Sequence, residues 1–326
     1  MRRRDLFGAA LCVVSGATTR GSRAQTALRP RMGYLSGGEP ILAQFNFDIL
    51  IASLGDLGWR AGETIDVEAR WGRGDASRIP ILARELVALV PDVIVATGSS
   101  EARALQAATR DIPIVFMQVA DPVSLGIVES IARPGRNITG FAQGPHFLWG
   151  KRLDLLTELL GRPPRRLAWL GNPGNSGSAA GWADARDAAV KIGADLVRVD
   201  VSQADQLDPA FEAMKDPDAL LVQFDFLFAV QRHWIAELAV RKRLPAVYEN
   251  RMQTVGGGLM SYGGDLRENY HQGAAYVDRI LRGARPVDLP VIQASRFELV
   301  LNSGAARAIG LTIPSFLLAR ADEVIE

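Results

Sequence analysis

The chain has 326 residues, of which 48% are hydrophobic and 22% are charged, and its 37 basic and 36 acidic residues give a formal net charge of +1. This length suits two domains of about 150 residues each, and the apolar content excludes disorder as the main state. The balanced charge provides no basic excess that would indicate a nucleic-acid-binding protein.

Residues 1–24 are predicted to form an export signal. Arg2, Arg3 and Arg4 precede an apolar run over residues 6–14, which is far shorter than the roughly 20 residues needed to span a bilayer. Residues 22–24 (Ser-Arg-Ala) form a small-x-small cleavage site. The arginine cluster resembles a twin-arginine signal, while a general secretory signal and a plain cytoplasmic helix stay open as alternatives. We therefore expect a periplasmic protein.

The only cysteine, Cys12, lies inside this predicted signal. Lipid attachment at Cys12 is a further alternative, but Leu11 stands where a small residue is expected. Cleavage of the signal would leave a mature chain without cysteine. That excludes disulfides, thiolate catalysis and cysteine-ligated metals.

From residue 31 onward, short apolar runs rich in β-branched residues alternate with amphipathic stretches. The predicted strands cover residues 32–35, 64–69, 92–96, 113–117 and 137–141, and then 166–170, 195–199, 219–222, 245–248 and 258–262. The predicted helices include residues 41–57, 79–89, 147–160 and 266–281. This alternation, with strands that are apolar throughout, predicts an α/β fold of two doubly wound, Rossmann-like lobes.

The boundary between the lobes is predicted at residues 143–145 (Gln-Gly-Pro), which follow five strands and precede a second series. The helix predicted over residues 266–281 carries an apolar stripe and comes after the second series is complete. We expect this helix to return to the first lobe.

The loops after the predicted strands are rich in hydroxyl, amide and glycine residues. Ligands of open parallel sheets bind at the carboxyl ends of the strands, and the helices that begin there favour anions. Capping of the following helix is the competing explanation for Asp121 and for the loop over residues 97–100. The predicted ligand site consists of Ser36, Gly37, Thr97, Gly98, Ser99, Ser100, Gln118, Asp121, Asn172, Asn175, Gln223, Phe224, Asp225, Tyr248 and Glu249.

The sequence predicts no catalytic residue, no cofactor and no metal site. The glycines of residues 171–177 follow a G-x-x-G-x-x-G pattern instead of the dinucleotide pattern, and the sequence contains no P-loop and no G-x-S-x-G elbow. His146, His233 and His271 lack partners at metal-binding spacing. Of these three, His146 alone lies where it can face a cleft between the lobes.

A series of motifs, weak singly but specific in their order, resembles the solute-binding proteins of ABC transporters. More narrowly, they resemble the family whose better-known members bind tryptophan or tyrosine. The motifs are residues 91–96 (PDVIVA), 112–116 (IPIVF), 121–123 (DPV), 134–140 (PGRNITG), 257–263 (GGLMSYG), 297–302 (FELVLN) and 306–314 (ARAIGLTIP).

The chain departs from the family pattern at three places. Ala120 stands where threonine is frequent, Arg136 replaces a glycine, and residues 223–226 read Gln-Phe-Asp-Phe where Pro-Thr-Asp-Asn is frequent. Tryptophan is therefore not carried over as the ligand.

The resemblance implies a type I periplasmic binding fold, in which three crossing segments join two lobes that close on a ligand. The implied first lobe is residues 31–143 with 264–286, and the implied second lobe is residues 144–263 with 287–326. The implied partners are a small-molecule ligand and an inner-membrane ABC permease. We expect a monomer that binds no nucleic acid.

The expected function is that of a periplasmic solute-binding component of an ABC importer. Its ligand is expected to be amino-acid-like, aromatic or carboxylated. In this scheme Asp225 or Glu249 pairs with an ammonium, while Phe224 and Tyr248 stack on the apolar part. The groups expected to hold a carboxylate are the hydroxyls of Ser36, Thr97 and Ser99, with helix N-terminal amides. A sensing module that feeds a kinase or chemoreceptor stays open as the alternative function, with an exported α/β enzyme third.

Overall fold

A computed structural model describes residues 29–143 and 148–326 of the chain. The predicted export signal over residues 1–24 and His146 lie outside these residues. In the described part, no helix is long and apolar enough to cross a membrane.

The first half of the chain alternates strands and helices, as predicted. Its elements are β1 (Arg31–Ser36), α1 (Pro40–Asp56), β2 (Asp66–Trp71), α2 (Ile79–Ala88), β3 (Val93–Ala96), α3 (Ser99–Ala108), β4 (Ile114–Val119) and β5 (Ile138–Ala142). Every residue of β3 and β4 is buried, because helices cover both faces of a parallel sheet. The continuous apolar runs of the sequence are therefore buried strands.

A second series repeats the pattern. It comprises α4 (Leu148–Leu160), β6 (Arg166–Gly171), α5 (Ser178–Lys191), β7 (Asp195–Asp200), α6 (Leu207–Ala213), β8 (Ala219–Val222), α7 (Phe226–Val230), α8 (Arg232–Arg241), β9 (Ala246–Tyr248), α9 (Arg251–Val255) and β10 (Met260–Gly264). The chain ends with α10 (Leu266–Leu281), β11 (Ile292–Gln293), β12 (Phe297–Asn302), α11 (Ser303–Ala308), α12 (Ser315–Leu318) and β13 (Glu323–Ile325).

The strands form two separate sheets, and each sheet defines one lobe. The first has the order β11-β5-β4-β3-β1-β2, and the second has the order β13-β12-β10-β9-β8-β6-β7. All neighbouring strands pair in parallel except β10 and β12. The predicted fold class, two doubly wound α/β lobes, is confirmed.

The chain crosses between the lobes three times. It leaves the first lobe after β5 and returns at α10, whose Tyr270, Ala274 and Val277 are buried in the first lobe's core. The return of this helix to the first lobe was predicted from its apolar stripe. The third crossing lies between β11 and β12, because β11 belongs to the first sheet and β12 to the second.

The predicted boundary after residue 286 is wrong. Leu289 and Val291 are buried in the first lobe's core, and Ile292 pairs with Phe141 of β5. The third crossing therefore comes after residue 293, and residues 287–293 belong to the first lobe. A strand of two residues is too short to produce an alternating pattern in the sequence, so no signal marked it.

The strand β4 contains a β-bulge near its carboxyl end. Phe116 is paired with Gly140 and Val119 with Ala142, so two residues of β4 lie opposite one residue of β5. Within this bulge Gln118 has a φ of 55°, in the left-handed region. Gly140 has a φ of 150°, and a Cβ atom there would collide with the backbone of Phe116.

We predict that Gly140→Ala lowers the free energy of unfolding by about 2–4 kcal/mol, because it adds backbone strain to overpacking. Gly55→Ala is the matched control, since Gly55 lies in α1 with no heavy atom within 4 Å of an added Cβ. The control is expected to leave stability unchanged or to raise it by up to about 1 kcal/mol. Denaturant unfolding measures both, and equal stability of the two variants would contradict the role of the bulge.

Candidate functional site

A cleft lies between the two lobes, where the carboxyl ends of the parallel strands face each other. Charged, amide and aromatic side chains from both lobes line this concave space, which is the composition of a small-molecule site. Ten of the predicted site residues line this cleft: Gly37, Gly98, Ser99, Ser100, Gln118, Asn175, Gln223, Phe224, Asp225 and Glu249.

Four other predicted residues stand back from the cleft. Ser36 and Thr97 line a smaller internal space behind it. Asp121 accepts hydrogen bonds from the backbone N–H groups of residues 123 and 124, which is the capping role considered as the alternative. Asn172 is 1% exposed, and its Nδ2 donates to Asp225 Oδ1 over 3.0 Å.

The prediction that Tyr248 stacks on the ligand is wrong. Its side chain is 1% exposed and packs in the second lobe's core beside Phe228 and Leu244. Tyr248 is the last residue of β9, where side chains alternate between the two faces of the sheet. Val247 faces one helical layer and Tyr248 the other, so neither points out of the end of the strand.

Several cleft residues were missed by the sequence analysis because they lie on helices. These are Glu101 on α3, Arg152 on α4 and Asp184 on α5. Trp149 and Phe226, two aromatic residues expected at or near the cleft, also line it. One sequence signal could have identified Arg152 as a cleft residue. Its spacing from Trp149 places both side chains on one helical face.

Arg152 is the one basic residue among the described residues that line the cleft. It is 4% exposed, its Nε donates to the carbonyl oxygen of Tyr262 over 2.8 Å, and its guanidinium lies 4.7 Å from the ring centroid of Trp149. Burial lowers the pKa of Arg152, and the negative charges of Glu249 and Asp184 oppose this effect.

Neither carboxylate is close enough to Arg152 to form an ion pair. Within the described residues, no carboxylate oxygen lies within 4.0 Å of its guanidinium. Burial raises the pKa of Glu249, while Arg152 and a hydrogen bond from the N–H of Phe224 lower it. This end of the cleft therefore holds a buried cation and an anion that do not neutralise each other directly.

Glu101 fills the N-terminal end of α3. Its carboxylate accepts hydrogen bonds from its own N–H and from the N–H of Gly37. A Cβ atom at Gly37 would lie 2.5 Å from Glu101 Oε1, and one at Gly98 would lie 2.6 Å from Oε2. Both positions therefore need glycine to admit this carboxylate.

This arrangement overturns the expected carboxylate site. The helix N-terminus and the hydroxyls around it were expected to hold a ligand carboxylate, but the carboxylate of Glu101 already occupies that position. Burial raises the pKa of Glu101 from 4.5 to about 7, and the charge of Asp225 adds to the rise. A second carboxylate beside it would be repelled whenever Glu101 is ionised.

Asp225 faces Glu101 from the second lobe and is held by three hydrogen bonds. Its Oδ1 accepts from Asn172 Nδ2 and from the N–H of Leu227, and its Oδ2 accepts from Asn175 Nδ2 over 2.9 Å. Burial raises the pKa of Asp225, and the bonds from the two asparagines oppose the rise. The carboxylate is thus fixed in position at the cleft wall.

Two glutamines bring unpartnered carbonyl oxygens to the cleft from opposite lobes. Gln118 is 5% exposed and Gln223 is 4% exposed, and the Oε1 of each lacks a hydrogen-bond donor in the described structure. The Nε2 of Gln118 donates to Tyr270 Oη over 3.2 Å. Each Oε1 is a buried acceptor that a donor on a ligand can satisfy.

The lobes touch each other across the cleft. The N–H of Ser176 in the second lobe donates to Ser100 Oγ in the first lobe over 3.2 Å. The ring of Phe226 packs so closely on Gly37 that a Cβ there would collide with it, and it lies 5.5 Å from the ring of Phe224 in an edge-to-face pair. The structure therefore corresponds to a closed form.

Comparison with known proteins identifies the family. Residues 46–325 match the family described as ABC transporter substrate binding protein. The chain is 24% identical over 262 residues, or 80% of its length and 75% of the relative's, to the tyrosine-binding protein of Clostridioides difficile (strain R20291). The match spans most of the chain, so the chain belongs to the ABC transporter substrate-binding protein family.

Solved structures share the fold. A conserved domain protein of Vibrio cholerae is 27% identical, with a TM-score of 0.85 over 90% of this chain and 99% of that one. An ABC domain of Streptococcus pneumoniae in complex with L-Trp is 22% identical, with a TM-score of 0.84 over 91% of this chain and 100% of that one. The type I periplasmic binding fold is confirmed, as is the prediction of a solute-binding protein and not an enzyme.

We predict that Glu101 makes stability pH-dependent. Because its pKa in the folded state lies above its ordinary value of 4.5, its contribution to stability is fully present below pH 4.5 and is lost as the pH rises through about 7. Relative to Glu101→Gln, the ligand-free protein should lose about 3 kcal/mol of unfolding free energy over this range.

Denaturant unfolding between pH 4 and pH 8 measures the difference between the wild type and the variant. Glu212→Gln, on the exposed surface of α6, is the control and should follow the wild type. Parallel curves for wild type and Glu101→Gln would show that Glu101 does not titrate in this range.

Proposed function

We propose that this chain is the periplasmic solute-binding component of an ABC importer and captures a small amino-acid-like ligand in the inter-lobe cleft. It then delivers the ligand to a permease in the inner membrane. The observation that carries this proposal is the guanidinium of Arg152, buried in the cleft wall with no carboxylate within 4.0 Å among the described residues.

A buried cation without a carboxylate in contact is unfavourable, so a ligand anion would complete this site. A carboxylate fits the planar guanidinium fork with two parallel hydrogen bonds. Glu249 lines the same cleft and acts on the charge of Arg152, so it can receive an ammonium group. One cation and one anion that line the same cleft complement the two charged groups of an α-amino acid.

Glu249 suits the ammonium better than Asp225 does. The charge of Glu249 acts on Arg152, so these two opposite charges lie at the same end of the cleft, whereas the charge of Asp225 acts on Glu101. Two similar proteins, a tyrosine-binding protein and a protein in complex with L-Trp, also support an amino acid as the ligand class.

Closure of the lobes gives the capture mechanism. Three crossing segments allow the lobes to rotate about a hinge, and a ligand stabilises the closed form when it binds that form better than the open one. Arg152 and Glu249 belong to the second lobe, and Glu101 and Gln118 belong to the first. A ligand between them therefore holds both lobes together.

We predict that the mature protein gains about 5–10 °C in Tm with a cognate amino acid at 100 times its Kd, since this corresponds to about 2.7 kcal/mol. Arg152→Gln should lower the affinity by about 100-fold or more, because the ligand carboxylate loses a buried partner. The ligand-free variant should be as stable as the wild type or more so, because a buried charge is removed.

Arg241→Gln is the matched control. The guanidinium of Arg241 lies 4.4 Å from the ring centroid of Trp234 on the surface of the second lobe, so this variant removes the same kind of stacking outside the cleft. Calorimetry should give it wild-type affinity. Absence of any Tm shift across all amino acids would exclude amino acids as the ligand class. Unchanged affinity in Arg152→Gln would exclude Arg152 as the residue that binds the ligand carboxylate.

The placement in the periplasm rests on the sequence of residues 1–24. We predict that the full chain, expressed in its host, appears in the periplasmic fraction without these residues. Replacing Arg3 and Arg4 by lysine should block export if the twin-arginine route is used and should leave it intact if the general secretory route is used. An unprocessed chain in the cytoplasm would contradict the placement.

A further inference from the structure

The cleft contains more hydrogen-bond acceptors and negative charge than an α-amino group requires. Its described lining includes the carboxylates of Glu101, Asp225 and Glu249, against the single guanidinium of Arg152. In the proposed function, Arg152 and Glu249 hold the α-carboxylate and the α-ammonium. That leaves the carboxylates of Glu101 and Asp225 without a ligand group to bind.

This second group lies around the N-terminus of α3. Glu101 is 2% exposed, and no basic side chain lies within 4.0 Å of its carboxylate in the described structure. Asp225 lines the facing wall of the cleft, and the ring of the next residue, Phe226, packs against Gly37 beside the Glu101 carboxylate, so the charge of Asp225 acts on Glu101. Two like charges in a buried site are unfavourable, so a cation between them would stabilise both.

The two glutamines are an independent observation that points to the same ligand chemistry. Gln118 and Gln223 are both more than nine-tenths buried, both line the cleft, and the Oε1 of each lacks a donor in the described part of the chain. Buried acceptors without donors are costly. A ligand rich in N–H groups would satisfy these carbonyl oxygens together with the carboxylates.

We propose that the ligand's side chain ends in a cationic nitrogen group held by Glu101 and Asp225, so that the substrate class is basic amino acids such as lysine, ornithine and arginine. This inference rests on the proposed function, which supplies the α-amino-acid end of the site. The rings of Phe224 and Phe226 line the cleft beside these carboxylates, and their faces suit an aliphatic stem and a cation.

A purely aromatic side chain fits this end of the cleft poorly. It would press apolar surface against Glu101, Asp225 and two unpartnered carbonyl oxygens and displace the water that can solvate them. An indole or a phenol brings a single donor, whereas an ammonium brings three and a guanidinium five. The residues that read Gln-Phe-Asp-Phe at positions 223–226 thus favour a different side chain from the one named for the similar L-Trp complex.

The test compares ligands that differ in one charged group. L-Lysine and L-norleucine share the α-groups and the four-carbon stem, and only lysine carries the ε-ammonium. L-Arginine and L-citrulline form a second matched pair. Calorimetry on the wild-type protein should show one or both basic ligands binding about 100-fold more tightly than their neutral partners, and more tightly than L-tryptophan and L-tyrosine.

Glu101→Gln should reduce the preference for the basic ligand over its neutral partner by about 10-fold or more, because the cationic group loses one of its two carboxylates. Glu212→Gln is the surface control and should have no effect. The wild-type ligand comparison decides the matter even if Glu101→Gln fails to fold.

The outcomes separate this inference from the proposed function. Equal affinities within both matched pairs, or tighter binding of tryptophan or tyrosine, would overturn the basic class while keeping the amino-acid site at Arg152. If no amino acid binds, the proposed function itself is overturned, and the inference with it.

Discussion

Parallel strand pairing determines where this protein can bind a ligand. Strands that run in the same direction end at the same edge of a sheet, so the loops after β1, β3 and β4 meet although they are far apart in the sequence. The second sheet gathers the loops after β6, β8 and β9 in the same way. Because the three crossings set these two edges face to face, the cleft belongs to the pair of lobes and not to a single motif.

The same constraint explains how far the sequence predicts the fold. Strands such as β3 and β8 are buried on both faces, so they appear as continuous apolar runs that leave little room for another assignment. The helix α10 was expected to return to the first lobe because its apolar stripe needed a partner. In contrast, β11 has only two residues and is specified by its pairing with β5, an interaction between distant parts of the chain that no local pattern records.

Site residues could be predicted from the sequence where they follow the end of a strand. They could not be predicted where tertiary packing determines whether a side chain faces the cleft or the core. Gln223 and Glu249 come directly after β8 and β9 and do line the cleft. Tyr248 is one residue earlier, still within β9, and strand alternation turns it into the core. From the sequence alone, Arg152 is indistinguishable from an ordinary charged residue of an amphipathic helix. Only the contact of α4 with the carbonyl of Tyr262 shows that it is buried.

The electrostatics of the cleft link ligand binding to closure. In the closed form, burial lowers the pKa of Arg152 and raises the pKa of Glu101, Asp225 and Glu249, so it opposes the charged state of every one of these groups. Opening the lobes would separate Glu101 from Asp225 and relieve the part of that penalty that comes from their like charges, which favours the open form when no ligand is bound. A ligand that carries a single charge compensates one end of the cleft and leaves the other buried without a partner. A ligand with an anion for Arg152 and cations for the carboxylates compensates both lobes at once, and only this larger difference in affinity between the closed and open forms can shift the equilibrium decisively towards closure.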